Sequence, residues 1–265
     1  MIDRVERCLG VRLDRETAVV KRRSVGARTD RGTWVRLEAR PLSKLTGQGS
    51  GVEGAACLPR NIAKPVWYQG LSWQVPEQCV LWRADETELV PHPAIKPGGV
   101  LRTDPGLAEA WWATLGTSLG ALATQTTTRI ATPHTVPISQ ERVTATIEDV
   151  FPGRVETTVT EWAVAHADLA WTNLTAPECW LLDWEDWGLA PRGWDAATLW
   201  GNSLAVPELA ERVQREYRVD LDSRSGLLSQ LFFCSEMISA GADYAGPLTE
   251  PSGREASRLI SLLQP

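Results

Sequence analysis

The chain has 265 residues, 43% hydrophobic and 23% charged, with a net charge of −6 and a pI near 5.3. That length buries a sizeable core without staples, which excludes a mini-protein and a disordered tail. The acidic balance and the absence of a Lys/Arg cluster exclude a nucleic-acid binder, because neutralising phosphates needs a basic face.

Residues 1–100 carry 16 Lys and Arg against 11 Asp and Glu, a net +5. Residues 101–265 carry 11 against 22, a net −11. Two halves of opposite charge point to an anionic ligand in front and a cationic one behind. Cys8, Cys57, Cys79, Cys179 and Cys234 stand singly without a C-x-x-C pair, so neither a disulfide framework nor a zinc ribbon is expected. No apolar run has the length of a membrane span, and MIDRVERCLG lacks the apolar stretch of a secretory signal; a soluble, cytoplasmic protein is expected.

In chain order, TAVVKRRSV (17–25), TWVRLEA (33–39), PVWYQGLSW (65–73) and CVLWRADETELV (79–90) read as strands between Gly, Pro, Asp and Ser punctuation. TDRG (29–32) reads as a hairpin turn. Val52 to Leu58 form a short helix closed by Pro59. PHPAIKPGGV (91–100) is a connector rich in Pro and Gly. Beyond it, Thr103 or Asp104 caps a helix with Pro105 in its first turn, and Leu107, Trp111, Leu115, Leu119 and Leu122 recur at helical spacing. Further helices are expected at about 195–205, 207–218, 223–242 and 253–263. The expected architecture is α+β, with a small β-rich part over 1–92 and a larger, mainly helical part over 93–265.

The chemistry concentrates in residues 161–200. His166-Ala167-Asp168 is followed by Asn173, then by a short apolar strand, Trp180-Leu181-Leu182, ending in Asp183. With so few His and Asn in the chain, chance produces H-x-D-x-x-x-x-N roughly 0.002 times. HADLAWTNL followed by LLDWEDWGLAPRGWD resembles the catalytic segment of the aminoglycoside phosphotransferase and choline kinase-like superfamily, whose two-lobed fold is similar to that of the protein kinases.

That resemblance implies a transfer of the γ-phosphoryl group of ATP, with Mg²⁺, to a hydroxyl of a small molecule. Asp168 matches the carboxylate that accepts the hydroxyl proton. His166 matches the loop histidine, Asn173 and Asp183 match the magnesium ligands, and Asp195 matches the Asp that braces the loop. The chemistry fits: phosphoryl transfer relies on positioning and on stabilising spread negative charge, and hard Mg²⁺ takes oxygen ligands, often one or two carboxylates beside phosphates and waters. Ala167 departs from the usual Gly or Asn of the motif.

The front part departs further. It has no G-x-G-x-x-G and only four lysines, Lys21, Lys44, Lys64 and Lys96. Arg36 is the candidate phosphate-gripping residue, paired with Glu53 of the following helix, with Lys21 as runner-up. Ser24-Val25-Gly26-Ala27-Arg28 is the candidate nucleotide cover. Trp171 and Glu185 are candidate contacts for the acceptor. An acidic second part suits a hydroxylated, cationic acceptor. An aminoglycoside-like or related antibiotic is the first substrate class to try. Choline, homoserine or another metabolite, and a catalytically silent nucleotide-binding module, are the alternatives.

Overall fold

A computed structural model describes residues 1–21, 23–45 and 48–264. It divides into two compact units: residues 1–58 with 64–91, and residues 59–63 with those from 92 onward.

The first unit opens with α1 (Ile2–Leu9), whose Val5 and Leu9, four apart, bury one face while Arg4 and Arg7 stay exposed. Gly10 ends it in the left-handed conformation, φ 67°. Five antiparallel strands follow: β1 (Val19–Val20), β2 (Ser24–Arg28), β3 (Thr33–Pro41), β4 (Trp67–Val75) and β5 (Val80–Glu88), in the order β1-β2-β3-β5-β4. Alternation along β3 sends Val35 and Leu37 inward, where they join Val5, Leu9, Val11, Trp73 and Ala84 in one apolar cluster. The TDRG turn closes the β2–β3 hairpin as expected, with Gly32 at φ 73° and Thr29 Oγ1 2.6 Å from Thr33 Oγ1. Between β3 and β4 lies α2 (Gly51–Gly54), where the Ser50 hydroxyl accepts from the Glu53 N–H.

Two expectations change here. The strand expected over 17–25 is two strands, because Lys21 N–H donates to Ser24 O and turns the chain; Arg22 lies outside the described residues. Ser24–Arg28, the candidate nucleotide cover, runs past the strand end expected at residue 25 and forms β2, paired residue by residue with β3.

The second unit contains α3 (Glu109–Ala123), α4 (Gln140–Val150), a two-stranded antiparallel hairpin of β6 (Trp162–Ala165) and β7 (Gly188–Pro191), and then α5 (Trp194–Gly201), α6 (Pro207–Glu216), α7 (Arg218–Leu221), α8 (Arg224–Ala245) and α9 (Thr249–Leu263). The helix expected from residue 103 begins only at 109. Asp104 Oδ1 instead accepts from Gly106 N–H, and Gly106 takes a positive φ that a helix does not contain. Buried α8 packs against α4, α5 and α9, and close approach is required at Gly226: a Cβ there would lie 1.9 Å from Asp220 O. The strand expected at Trp180–Leu182 is only an isolated bridge, Leu174 to Leu181, because the chain around it serves the loop described next. Among the described residues, no helix is long and apolar enough to cross a membrane.

Candidate active site

Residues 166–187 are the connection between β6 and β7, a hairpin whose ends are held by Ala165 opposite Gly188. Asp195, in the first turn of α5, accepts from the backbone N–H of His166 (2.7 Å) and of Ala167 (2.8 Å) with its two carboxylate oxygens. Burial pushes its carboxyl up to about 6, and those two N–H groups pull the other way. Ala167 adopts φ 73°, the left-handed region that costs a non-glycine residue about 1–2 kcal/mol. Ala167 thus adopts the left-handed backbone that Gly or Asn takes more readily. Asp195 and the Trp194 ring N–H, which donates to Ala167 O at 3.3 Å, hold the strained residue in place.

His166 is fully buried, and its Nε2 sits 2.8 Å from Leu182 O. A carbonyl only accepts, so Nε2 carries the proton, and Nδ1 is left to accept from Asp168 N–H at 3.4 Å. Burial lowers the pKa of the ring, against the pull of Asp168, which keeps it neutral. Leu182 N–H in turn donates to Asn173 O. Leu182, the residue just before Asp183, is therefore tied to both ends of the 166–173 loop, to His166 through its carbonyl and to Asn173 through its N–H.

Asn173 is buried, and its Nδ2 donates at 2.8 Å to both Asp168 O and Asp168 Oδ2. Two acceptors on one end of the amide identify that end as nitrogen, so Oδ1 points away from Asp168. Asp183 sits at φ 64°, and its charge acts on both Asp168 and His166. The Asp168 carboxyl is raised, chiefly by burial; neighbouring His166 lowers it, and Asp183 and Asp186 raise it further. Among the described residues, no group of three or more His, Cys, Asp and Glu side chains is placed to hold a metal. An amide oxygen with a single carboxylate, the residue types of Asn173 and Asp183, is the kind of sparse oxygen set that Mg²⁺ uses when phosphates and waters complete its shell.

Asp168 also lines a cavity of about 390 Å³ inside the second unit, walled by Trp194, Phe232, Phe233 and Leu248. Trp171, expected to face the acceptor, does not reach it. The ring is buried against Trp111 at 6.1 Å and donates to Ser203 Oγ at 3.1 Å, so it is core. Glu185 is half-buried on the turn after Asp183 and is not among the residues that line this cavity.

In the first unit, Arg36 lies on β3 opposite Asp85 of β5, with its Nη2 3.4 Å from Glu38 Oε2. Lys21 is exposed just after β1. The ion pair of Glu53 runs to Arg83 on β5, at 3.0 Å, and the same guanidinium grips both oxygens of Asp85 at 2.6 and 2.7 Å. Sequence reasoning missed Arg83 because only the return of β5 alongside β3 brings residue 83 to α2.

No family model matches the sequence, and no curated protein matches it. Solved structures do. A thermostable mutant of aminoglycoside phosphotransferase APH(4)-Ia, in a ternary complex with ADP and hygromycin B, superimposes with a TM-score of 0.61 at 10% identity, over 99% of this chain and 98% of its own. The fold is protein-kinase-like, similar to that of this phosphotransferase. Spectinomycin phosphotransferase APH(9)-Ia, in complex with ADP and spectinomycin, gives 0.55 at 13% identity over 99% and 92% of the two chains. Choline kinase LicA from Streptococcus pneumoniae gives 0.53 at 12% identity over 98% and 96%. The α+β, protein-kinase-like architecture expected from the 161–200 segment is thus the one observed, retained at identities where little besides the fold persists.

Proposed function

We propose that this chain is an ATP- and Mg²⁺-dependent phosphotransferase acting on a hydroxyl of a small molecule. The observation that carries the reading is the Asn173 clamp. One amide fixes Asp168 through its backbone oxygen and Oδ2, and the same residue lines a cavity large enough for an acceptor. In this reading Asp168 Oδ1 accepts the proton of the acceptor hydroxyl. The hydroxyl oxygen forms a bond to the γ-phosphorus, and the bond from that phosphorus to the β,γ-bridging oxygen breaks. ADP leaves with the electron pair. The donor set of Asn173 Oδ1 and the Asp183 carboxylate fits Mg²⁺, which when bound supplies charge neutralisation at the phosphate oxygens.

His166 and Asp195 hold the loop so that Asp168 meets the hydroxyl without reorganising, which is where positioning lowers the barrier. For the phosphates, Arg36 and Lys21 are the proposed grips, with the Glu53–Arg83–Asp85 network supporting the sheet behind them. The first acceptors to try are aminoglycoside-like or related antibiotics. The test is ADP release from MgATP with a panel of hydroxylated amines. Acceptor-dependent ADP release that Asp168→Asn removes is the expected result. Full turnover by that variant would show that Asp168 is not the base.

A further inference from the structure

The five-stranded sheet of the first unit has two edges. One is β1, two residues long and too short to carry a further strand. The other is β4, whose nine residues make about 30 Å of extended backbone. Only its β5 side is paired. Among the described residues, no hydrogen bond outside that ladder reaches the backbone of residues 69–75.

A row of free N–H and C=O groups templates another strand, so edges in soluble proteins are ordinarily guarded by charge, proline or a bulge. Here the charges sit inside the sheet instead. Strand β3 carries three charged residues and β5 carries four, whereas WYQGLSWQV in β4 carries none and has no proline. One bulge is present, at Trp67 to Gln69; from Gln69 to Val75 the pairing with β5 is unbroken. Tyr68, the bulged residue, is 51% exposed, and Gly70, Ser72 and Gln74 are exposed as well.

The charges that flank β4 select the strand that fits it. Lys64 precedes β4 and Glu77 follows it, in the turn Pro76–Gln78, and neither forms an ion pair among the described residues. Burial lowers the pKa of Lys64 against the pull of the Cys57 thiol, with no carboxylate beside it. An identical strand laid antiparallel about Leu71 pairs Gln69 with Trp73 and sets Leu71 beside its own counterpart. Counted past the Tyr68 bulge, this register brings the Glu77 turn of each copy beside Lys64 of the other. A parallel arrangement would bring like charges together at both ends. The antiparallel one is two-fold symmetric and closes after two copies.

We propose that β4 is the homodimer interface of this chain. Two copies pair β4 antiparallel about Leu71, which joins two five-stranded sheets into one of ten strands and forms two Lys64–Glu77 ion pairs at the ends of the seam. One pair of strands with its flanking side chains lies at the small end of specific interfaces, so the dissociation constant should be about 10–100 µM.

The experiment is sedimentation velocity of the full chain from about 1 to 200 µM, a range that brackets that constant, with hydrogen exchange read at both extremes. The mass should rise from one chain towards two, and outward amides within Gln69–Val75 should slow at least about twofold while those of β3 stay unchanged. Glu77→Lys, at an exposed position, replaces both end attractions by repulsions and should weaken association about tenfold; adding Lys64→Glu should restore it to within about threefold. The mass of one chain at every concentration overturns the proposal and leaves the edge to a different partner. A dimer whose β4 amides exchange as fast as the monomer's overturns it too, because the copies then meet elsewhere. So does association that Glu77→Lys leaves unchanged, or that a double variant with the natural melting temperature fails to restore.

Discussion

The two units of this chain keep the same fold by different means. In the first, five strands are held by backbone hydrogen bonds and by an apolar alternation that Val, Leu, Ala or Trp satisfy equally well. Side chains on the other face are then free to change, and the glycine-rich loop and strand lysine that the resemblance would supply are both missing. In the second, the loop from His166 to Asp183 is shaped by side chains bonded to backbone: Asp195 to two N–H groups, Asn173 to Asp168, His166 to Leu182. Exchanging any of these leaves a buried polar group without its partner, a loss of about 1–3 kcal/mol. Geometry written in specific polar contacts resists substitution, whereas geometry written in hydrophobic alternation does not.

Substitutions in the two units put that contrast to the test. The largest effect is expected for Asp168→Asn, which should lower turnover roughly 10²–10⁴-fold with an unchanged melting temperature, read by ADP release alongside a thermal scan. Next comes a matched pair of glycines. At Gly226 in the second unit an added Cβ meets the backbone oxygen of Asp220 at 1.9 Å, whereas at Gly26 in the first it meets the side-chain ring of Trp34 at 2.2 Å. Backbone cannot yield and a side chain can, so Gly226→Ala should cost about 3 kcal/mol in urea unfolding and Gly26→Ala about 1. A reversed order would refute the contrast.

Asp195→Asn replaces one accepting oxygen by an NH₂ that faces a backbone N–H, and should cost about 1–3 kcal/mol. Its pH dependence has a definite sign. A carboxyl whose pKa is raised from 3.8 to about 6 holds its proton more tightly in the folded state. The folded state is therefore favoured most below the unfolded value and loses that advantage as pH rises to about 6. The stability margin of the natural chain over the variant should shrink across that window; a margin that grew would show that the two N–H bonds outweigh burial. The smallest effect belongs to the first unit: Glu53→Gln, at a half-exposed ion pair with Arg83, should change stability by about 0.2–1 kcal/mol.

How much was legible in the sequence follows the same division. The His166, Asp168, Asn173, Asp183 and Asp195 pattern stood out by its spacing, and the structure places the first four in one connection between two strands and hangs that connection from Asp195 of α5. The TDRG turn and the β3–β5 strands were legible from glycine and alternation. What was not legible depended on contacts distant in sequence. Arg83 meets Glu53 only through strand order, and Glu236 and His134 meet Asp168's cavity only through packing of the Pro133 turn and α8. Trp171 looked like a substrate contact from its place in the motif, yet the stack with Trp111, sixty residues earlier, makes it core. The helix Gln140–Val150 was not among the expected elements, although a Ser139 cap and Val143 four residues before Ile147 mark it.

The account rests on Asn173 and Asp183 presenting oxygen atoms to one divalent ion within reach of Asp168. Electron paramagnetic resonance of Mn²⁺ with AMP-PNP, titrated into the natural chain, Asn173→Ala and Asp183→Asn, examines this without requiring an acceptor. The natural chain should bind the ion in a nucleotide-dependent way, and each variant should lose that binding. Unaltered Mn²⁺ binding in both variants would contradict the account.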